Sequence, residues 1–127
     1  VNIIDVREWA FPLMQQEVFS SVDRTPEKLK PLAKRMFDAN GFIMVSPEYN
    51  GSYTSALKNL FDHFPKQSHK TFGIVTASPG IMGGMRASQQ MQLLINALFG
   101  IGSPHMLIHQ RLIKNSTQKA ICLMKTF

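Results

Sequence analysis

The chain has 127 residues, of which 44% are hydrophobic and 17% are charged, the size and composition of one globular domain over residues 1–127. Lysine and arginine outnumber aspartate and glutamate by 14 to 8, for a net charge of +6, but the cations are scattered instead of forming one basic block. This composition excludes a disordered chain. The charge suits an anionic small molecule as well as it suits nucleic acid.

The cysteine and hydropathy patterns indicate a cytoplasmic protein. A single cysteine, Cys122, cannot form an internal disulfide and has no paired metal-ligand spacing, which suits a reducing compartment. The longest apolar stretch, residues 93–102, is about half as long as a membrane span, so we expect no transmembrane segment. The sequence begins with Val1 and runs directly into a strand pattern, so we expect no signal peptide.

The first forty residues predict a strand, a loop and a helix. VNIIDV at 1–6 is short and β-branched, which favours a strand. Thr25 and Pro26 have the character of a helix start, and Pro31 then either kinks the helix or moves its start towards Lys30. One apolar stripe at helical spacing follows: Leu29, Leu32, Ala33, Met36 and Phe37. Asn40 and Gly41 are expected to end the helix.

The remaining elements continue the alternation of strands and helices. Strands are predicted at 42–46, 71–77 and 105–109, and the first of them is apolar on both faces, as expected when helices cover a parallel sheet on each side. Two helices are predicted between these strands, the second with Met91, Leu94, Leu98 and Ile101 on one face. The tail after Ser116 is expected to be helical. This order predicts an α/β domain with a parallel sheet.

Two loops stand out because each follows a strand and precedes a helix, which places both at the carboxyl edge of the sheet, where such sheets bind ligands. The loop at 46–55 contains a glutamate, a tyrosine and an asparagine in succession. The loop at 78–84 contains three glycines, whose amides, with the free N–H groups of a helix start, would favour negative charge. It has neither the P-loop ending nor the GxGxxG spacing, so ATP chemistry is disfavoured.

Both loops also have simple structural interpretations. Glycine-rich connections between a strand and a helix are common, so SPGIMGG alone is a weak signal. In the first loop, Glu48 could cap the next helix, Tyr49 could cover the end of the sheet, and Asn50 with Gly51 could form a turn. These interpretations do not explain why an aromatic ring and a carboxylate lie side by side at the binding edge.

The two loops together resemble those of a known family. SPEYNGSYTSALKNLFD at 46–62, followed by ASPGIMGGMRASQQMQ at 77–92, is similar to the NAD(P)H-dependent FMN reductases, a flavodoxin-like group that includes quinone, azo-dye and chromate reductases. The resemblance covers roughly residues 1–110. It implies a flavodoxin-like three-layer sandwich, with FMN and NADPH (or NADH) as cofactors and a small-molecule electron acceptor.

The resemblance implies which residues border the flavin ring. Pro47, Glu48, Tyr49 and Asn50 would line one side, and Ser78, Gly80, Gly83 and Gly84 the other. Amides of the second loop would stabilise the negative charge that reduced flavin gathers near N1 and O2, and no side chain need act as acid or base. In the relatives the LKNLFD helix makes homodimer contacts, so a homodimer or homotetramer is expected, with Tyr53, Leu60 and His63 lying partly off the core stripe.

The chain departs from the family at its beginning. The relatives start with a strand, a phosphate-binding loop and a helix that have no counterpart here, so VNIIDV corresponds to the family's second strand. In the order 2-1-3-4-5 the missing first strand is interior. We therefore expect either a fragment or truncated isoform, which we favour, or direct pairing of residues 1–6 with 42–46. Without the phosphate loop, the affinity for FMN should fall steeply.

Three functional hypotheses follow. The first is an NAD(P)H-dependent FMN reductase that transfers hydride through bound flavin. The second is a non-catalytic truncated module that acts through its dimer surface on a full-length partner. The third, a flavodoxin-like electron carrier, is disfavoured because such carriers tend to be acidic. No nucleic-acid or membrane partner is expected.

The other candidate residues have mostly structural interpretations. His105 and His109, on a strand, would lie about 13 Å apart, too far to share a metal, so no metal site is predicted. Arg86 could reach a phosphate of NADPH, although a solvated cation is the favoured interpretation. Trp9 and Phe11 could either cover a pocket or pack beneath it. The eight methionines are interpreted as core residues.

Overall fold

The computed structural model describes residues 2–9, 11–15 and 17–110, and the backbone of 123–126. Strands and helices alternate through most of this part of the chain. Two short 3₁₀ turns, Val6–Glu8 and Glu27–Leu29, accompany the regular elements. In chain order those elements are β1 (Asn2–Asp5), α1 (Lys30–Asp38), β2 (Gly41–Pro47), α2 (Ser55–Asp62), β3 (Thr71–Ala77), α3 (Met85–Ala97), β4 (Ile101–His109) and β5 (Leu123–Thr126).

The five strands form one sheet in the order β1-β5-β2-β3-β4. β2, β3 and β4 are parallel neighbours, and β5 is antiparallel to both β1 and β2. Since β5 opposes the strand on either side of it, β1 runs in the same direction as β2. The predicted α/β fold with a flavodoxin-like parallel sheet is confirmed.

The interior position assigned to the missing strand is occupied by β5. Its backbone pairs with β1 from Asn2↔Thr126 to Asp5↔Leu123, and with β2 from Phe42↔Thr126 to Val45↔Leu123. Direct pairing of residues 1–6 with 42–46, the alternative that was not favoured, is therefore wrong. The predicted helical tail is wrong for 123–126, while residues 117–122 and 127 lie outside the described residues.

One face of the sheet carries the core. Phe42 and Met44 on β2, and Phe72 and Ile74 on β3, are at most 2% exposed. They belong to one cluster with the apolar stripes of α1, α2 and α3. The rings of Phe42, Phe61 and Phe72 lie 5.1–6.1 Å apart and pack α2 against the middle of the sheet.

The other face is apolar but less covered. Ile43, Val45 and Val75, which alternate with the core residues, are only partly buried. Leu107 on β4 is 70% exposed, and Ile3 on β1 is 59% exposed. Within the described part of the chain, the expectation that helices cover both faces is wrong.

The helix boundaries depart from the predicted ones for local reasons. α1 begins at Lys30, so Pro31 lies in its first turn, where a missing N–H costs little. This confirms the later of the two predicted starts. Thr25 does not cap α1, because its hydroxyl donates to the carbonyl oxygen of Ser21 at 2.8 Å. Ile101, predicted on the face of α3, is the first residue of β4 and is 55% exposed.

The longest helix of the described residues, α3, has 13 residues. Across that same part of the chain, no helix combines the length and apolarity required to cross a bilayer.

Candidate functional site

The two loops singled out from the sequence begin side by side at the carboxyl edge of the sheet. β2 ends at Pro47 and β3 at Ala77, and these two residues are partners in the parallel register. The amide of Glu48 donates to the carbonyl oxygen of Ala77 at 3.3 Å, and the amide of Ser78 donates to the carbonyl oxygen of His109 at 3.2 Å. The candidate residues of the two loops thus start from adjacent strand ends.

The first loop is a tight turn that presents Tyr49. Tyr49 and Ser52 exchange backbone hydrogen bonds of 2.8 and 3.0 Å. The two residues between them, Asn50 and Gly51, have φ angles of 50° and 81°, a conformation that asparagine and glycine adopt most readily. The turn leaves the Tyr49 side chain 56% exposed. The predicted Asn50-Gly51 turn is confirmed.

The end of this loop is fixed to α2. The amide of Thr54 donates to Oγ of Ser46 at 3.0 Å, and Oγ1 of Thr54 accepts from the amide of Leu57 at 3.3 Å. Thr54 is therefore the N-cap of α2. The alternative interpretation of Glu48 as the cap of the next helix is wrong.

The second loop lies tightly against the ends of β3 and β4. Gly83 and Gly84 have φ angles of 60° and 94°. A Cβ at Gly83 would lie 2.8 Å from Cγ2 of Ile108, and one at Gly84 would lie 2.8 Å from Cβ of Thr76. Both positions therefore require glycine for backbone conformation and for space. Oγ1 of Thr76 also donates to the carbonyl oxygen of Gly83 at 3.2 Å.

Several amides of this loop already have acceptors within it. The amide of Gly80 donates to Oγ of Ser78 at 3.2 Å. The amide of Gly83 donates to the carbonyl oxygen of Gly80 at 3.1 Å, and the amide of Met85 donates to the carbonyl oxygen of Met82 at 3.0 Å. These bonds shape the turn. They also leave fewer donors for an anion than the glycine pattern predicted.

An ion pair joins the first loop to the start of α3. Oε1 of Glu48 accepts from Nε and Nη2 of Arg86 at 3.1 and 2.8 Å, and Oε2 accepts from the amide of Ala87 at 3.4 Å. The Glu48 side chain is 8% exposed and that of Arg86 is 68% exposed. Arg86, expected to be a solvated cation, is exposed but paired. No local sequence pattern indicates this contact, because 38 residues separate the partners.

Exposed apolar side chains surround these loops. Besides Tyr49, Ile81 is 66% exposed, Met82 54% and Met85 37%. The sequence pattern indicated the glycines of this loop but not the apolar residues between them. Large apolar side chains inside a glycine-rich turn, where they cannot all be buried, were the signal that could have indicated them. Exposed apolar and aromatic side chains of this kind are typical of surfaces that bind a ligand or a partner.

Leu60 in α2 and His63 after it, both expected near the dimer contact, are less exposed than predicted. Leu60 is fully buried and His63 is 3% exposed. His63 packs between Phe11 and Phe19, with ring centroids 5.0 and 5.2 Å away. Tyr53 is partly buried, and burial, followed by the charge of Asp62, raises the pKa of its phenol.

The two aromatic residues of the early loop pack against the core cluster. Of the two interpretations left open for Trp9 and Phe11, packing is the one that the structure favours. His105 and His109 both lie on β4, as predicted. Among the residues whose placement is described, no group of three or more His, Cys, Asp or Glu side chains is arranged to hold a metal ion.

Comparison with known proteins places this arrangement in a family. The profile of the family described as NADPH-dependent FMN reductase matches residues 1–113. The FMN-dependent NADPH-azoreductase of Staphylococcus saprophyticus is 30% identical over 109 residues, which are 82% of this chain and 56% of the relative. The protein of the same name from Staphylococcus aureus (strain USA300) is 30% identical over 86 residues, 66% of this chain and 45% of the relative.

The chain spans about half the length of the curated relatives it matches. Residues 1–113, which the family profile matches, include both loops at the carboxyl edge of the sheet and the helices that follow them. On the extent of the profile match, the chain belongs to the NADPH-dependent FMN reductase family.

Proposed function

We propose that this chain supplies the flavin-ring site of an FMN-dependent NADPH oxidoreductase. The observation that carries the proposal is the junction of the two loops at one edge of the sheet, with the exposed ring of Tyr49 beside them. The family match supports the same cofactor pair. The names of the relatives make an azo compound the first acceptor to test, with quinones next.

The ring would lie between the two loops. Pro47, Glu48, Tyr49 and Asn50 would border one side through the Tyr49 ring and the loop backbone. The other side would be formed by Ser78, Gly80, Gly83 and Gly84. Bound FMN would accept hydride from NADPH and pass two electrons to the acceptor. The protein's own contribution would be stacking, orientation and the exclusion of water.

The residues present fit the ring better than the phosphate of FMN. Tyr49 and Met82 provide large exposed surfaces beside the loops. The cation beside the loops, Arg86, is already engaged by Glu48. We therefore expect this chain to bind FMN through its ring contacts and more weakly than a protein with a dedicated phosphate anchor.

The visible spectrum of the purified protein tests the proposal. Titration of the protein with FMN should shift the flavin absorbance bands with saturation, and addition of NADPH without oxygen should bleach them. A chain that neither retains nor takes up FMN would contradict the proposal. The second candidate, a non-catalytic module, would then stand, and the partly covered apolar sheet face is the feature that favours it.

Tyr49→Ala tests the role of the ring. Because the side chain is 56% exposed, the free energy of unfolding should change by less than about 1 kcal/mol. Stacking on the flavin would be lost, so the dissociation constant for FMN should rise about tenfold. Ile3→Ala, which shortens an equally exposed side chain on β1, is the control. Equal changes in FMN affinity for the two variants would show that Tyr49 does not contact the ring.

We also propose a cytoplasmic homodimer or homotetramer. Since Leu60 and His63 are buried, the contact would use the exposed positions Ser55, Ala56 and Lys58 of α2. Light scattering coupled to gel filtration measures the mass directly. A monomer at all accessible concentrations would contradict this proposal.

A further inference from the structure

We propose that Glu48 is a positioning residue, which holds the first loop against the start of α3 and sets the charge there, and that its carboxylate does not contact the flavin. The inference rests on the proposed FMN site and assigns a role to the Glu48–Arg86 pair within it. It also changes the part expected of Glu48, from a group that borders the ring to one that fixes where the ring is held.

The geometry of the carboxylate supports this role. Both oxygens are directed to α3, one to the guanidinium of Arg86 and the other to the amide of Ala87. The side chain is 8% exposed, which leaves little surface for a ligand. The backbone amide of Glu48 donates a hydrogen bond to the carbonyl oxygen of Ala77 at the end of β3. Glu48 therefore ties together β3, its own loop and α3, all of which border the candidate site.

The contact also constrains the turn that carries Tyr49. Gly51 lies directly over the Arg86 side chain, since a Cβ built at Gly51 would be 3.8 Å from both Cδ and Nε of Arg86. Arg86 thus contacts the first loop at Glu48 and lies close to it at Gly51. Loss of either partner of the ion pair should release the Tyr49 turn from α3.

The charges of Glu48 and Arg86 should differ in their effect on a flavin bound beside α3. A carboxylate at a helix N-terminus offsets the positive end of the helix dipole. Glu48 is nearly buried, whereas Arg86 is mostly exposed and its field is more strongly screened by water and salt. The net influence on a flavin beside α3 should be that of the carboxylate, which disfavours added electrons and lowers the midpoint potential of bound FMN.

Three variants test the role: Glu48→Gln, Arg86→Gln and the double variant. Lys34→Gln is the matched control because it breaks the exposed pair between Lys34 and Asp38 on α1, outside both the candidate site and the proposed dimer contact. The measurements are the dissociation constant for FMN and the midpoint potential of the bound flavin. Thermal unfolding without FMN reports any loss of fold.

If Glu48 acts through Arg86, each single variant should weaken FMN binding by a similar factor, about tenfold, because either change removes the same charge-assisted bonds. The double variant should be no weaker than the singles. The midpoint potential should rise in Glu48→Gln and fall in Arg86→Gln, opposite shifts that loosening of the structure alone would not produce. Lys34→Gln should leave both quantities unchanged.

Two results would overturn the inference. Weakened binding in Glu48→Gln with wild-type binding in Arg86→Gln would mean that the carboxylate contacts FMN directly. Potentials that move in the same direction in both variants would mean that the pair has no electrostatic role.

Amide hydrogen exchange over residues 78–88 separates failure of this inference from failure of the proposed function. If wild-type protein does not bind FMN, the proposed function fails, but the positioning role still predicts faster exchange in Glu48→Gln and Arg86→Gln than in Lys34→Gln. Unchanged exchange in both variants would overturn the positioning role regardless of FMN binding.

Discussion

The two faces of the sheet have similar sequences and different surroundings. On β3, Ile74 is 2% exposed beneath the helices, while its neighbour Val75 points to the other face and is only partly buried. Both are β-branched and apolar. The difference shows that an apolar residue on a strand indicates a surface that can be covered, and that the covering element must be identified separately.

The largest effect should come from the centre of the covered face. Phe72→Ala removes a ring that is 1% exposed and contacts the rings of Phe42 and Phe61. We expect a loss of about 3–5 kcal/mol in the free energy of unfolding, because transfer and cavity costs add. Urea denaturation followed by circular dichroism measures it. A loss below about 1 kcal/mol would mean that this face is not the core.

The covered face extends beneath the second loop, where Gly84→Ala should have the next largest effect. The new Cβ would lie 2.8 Å from Cβ of Thr76, and the φ angle of 94° strains any residue but glycine. We expect a loss of about 1–3 kcal/mol. Gly80→Ala, whose Cβ would be 3.5 Å from Oγ of Ser78, is the control and should be nearly neutral. Equal losses would contradict this packing of the loop.

Val75→Thr tests the less covered face directly. The two side chains are similar in volume, so the exchange mainly adds a hydroxyl, which costs about 1–3 kcal/mol where it is buried without a partner. Because Val75 is only partly buried, we expect a loss below about 0.5 kcal/mol. A loss in the higher range would show that another element covers this face in solution.

The smallest effect on folding is expected at Leu107, which is 70% exposed. Leu107→Ser should change the free energy of unfolding by no more than about 0.5 kcal/mol. It should also reduce self-association, because it interrupts an exposed apolar surface. Static light scattering against concentration measures that change. A large loss of stability would place Leu107 in a packed environment.

Much of the fold followed from the sequence because local patterns determine it. Alternating strand and helix patterns located β1 to β4 and the three helices, and their order placed both loops at one edge. The coverage of the sheet did not follow, because Ile43 and Val45 satisfy the pattern of a buried strand whether or not a helix lies over them. β5 was missed because a four-residue strand carries almost no periodic signal, and its pairing depends on partners distant in the chain.

Some features of the candidate site could likewise be predicted from the sequence, and others could not. The Asn50-Gly51 turn and the glycine requirement at Gly83 and Gly84 are backbone properties that residue type reveals. The contact between Glu48 and Arg86 depends on how α3 is oriented against the first loop, and no local rule specifies that.

The position of β5 has a consequence for how the molecule folds. Among the strands of the described residues, β1 pairs with β5 alone, and their register pairs Asn2 with Thr126, a contact across nearly the whole chain. Contacts at such separation form late, because the entropy of closing a long loop is lost before the strands gain their hydrogen bonds. The parallel strands β2 to β4 should therefore assemble first, and docking of β5 and β1 should be the slow step of folding.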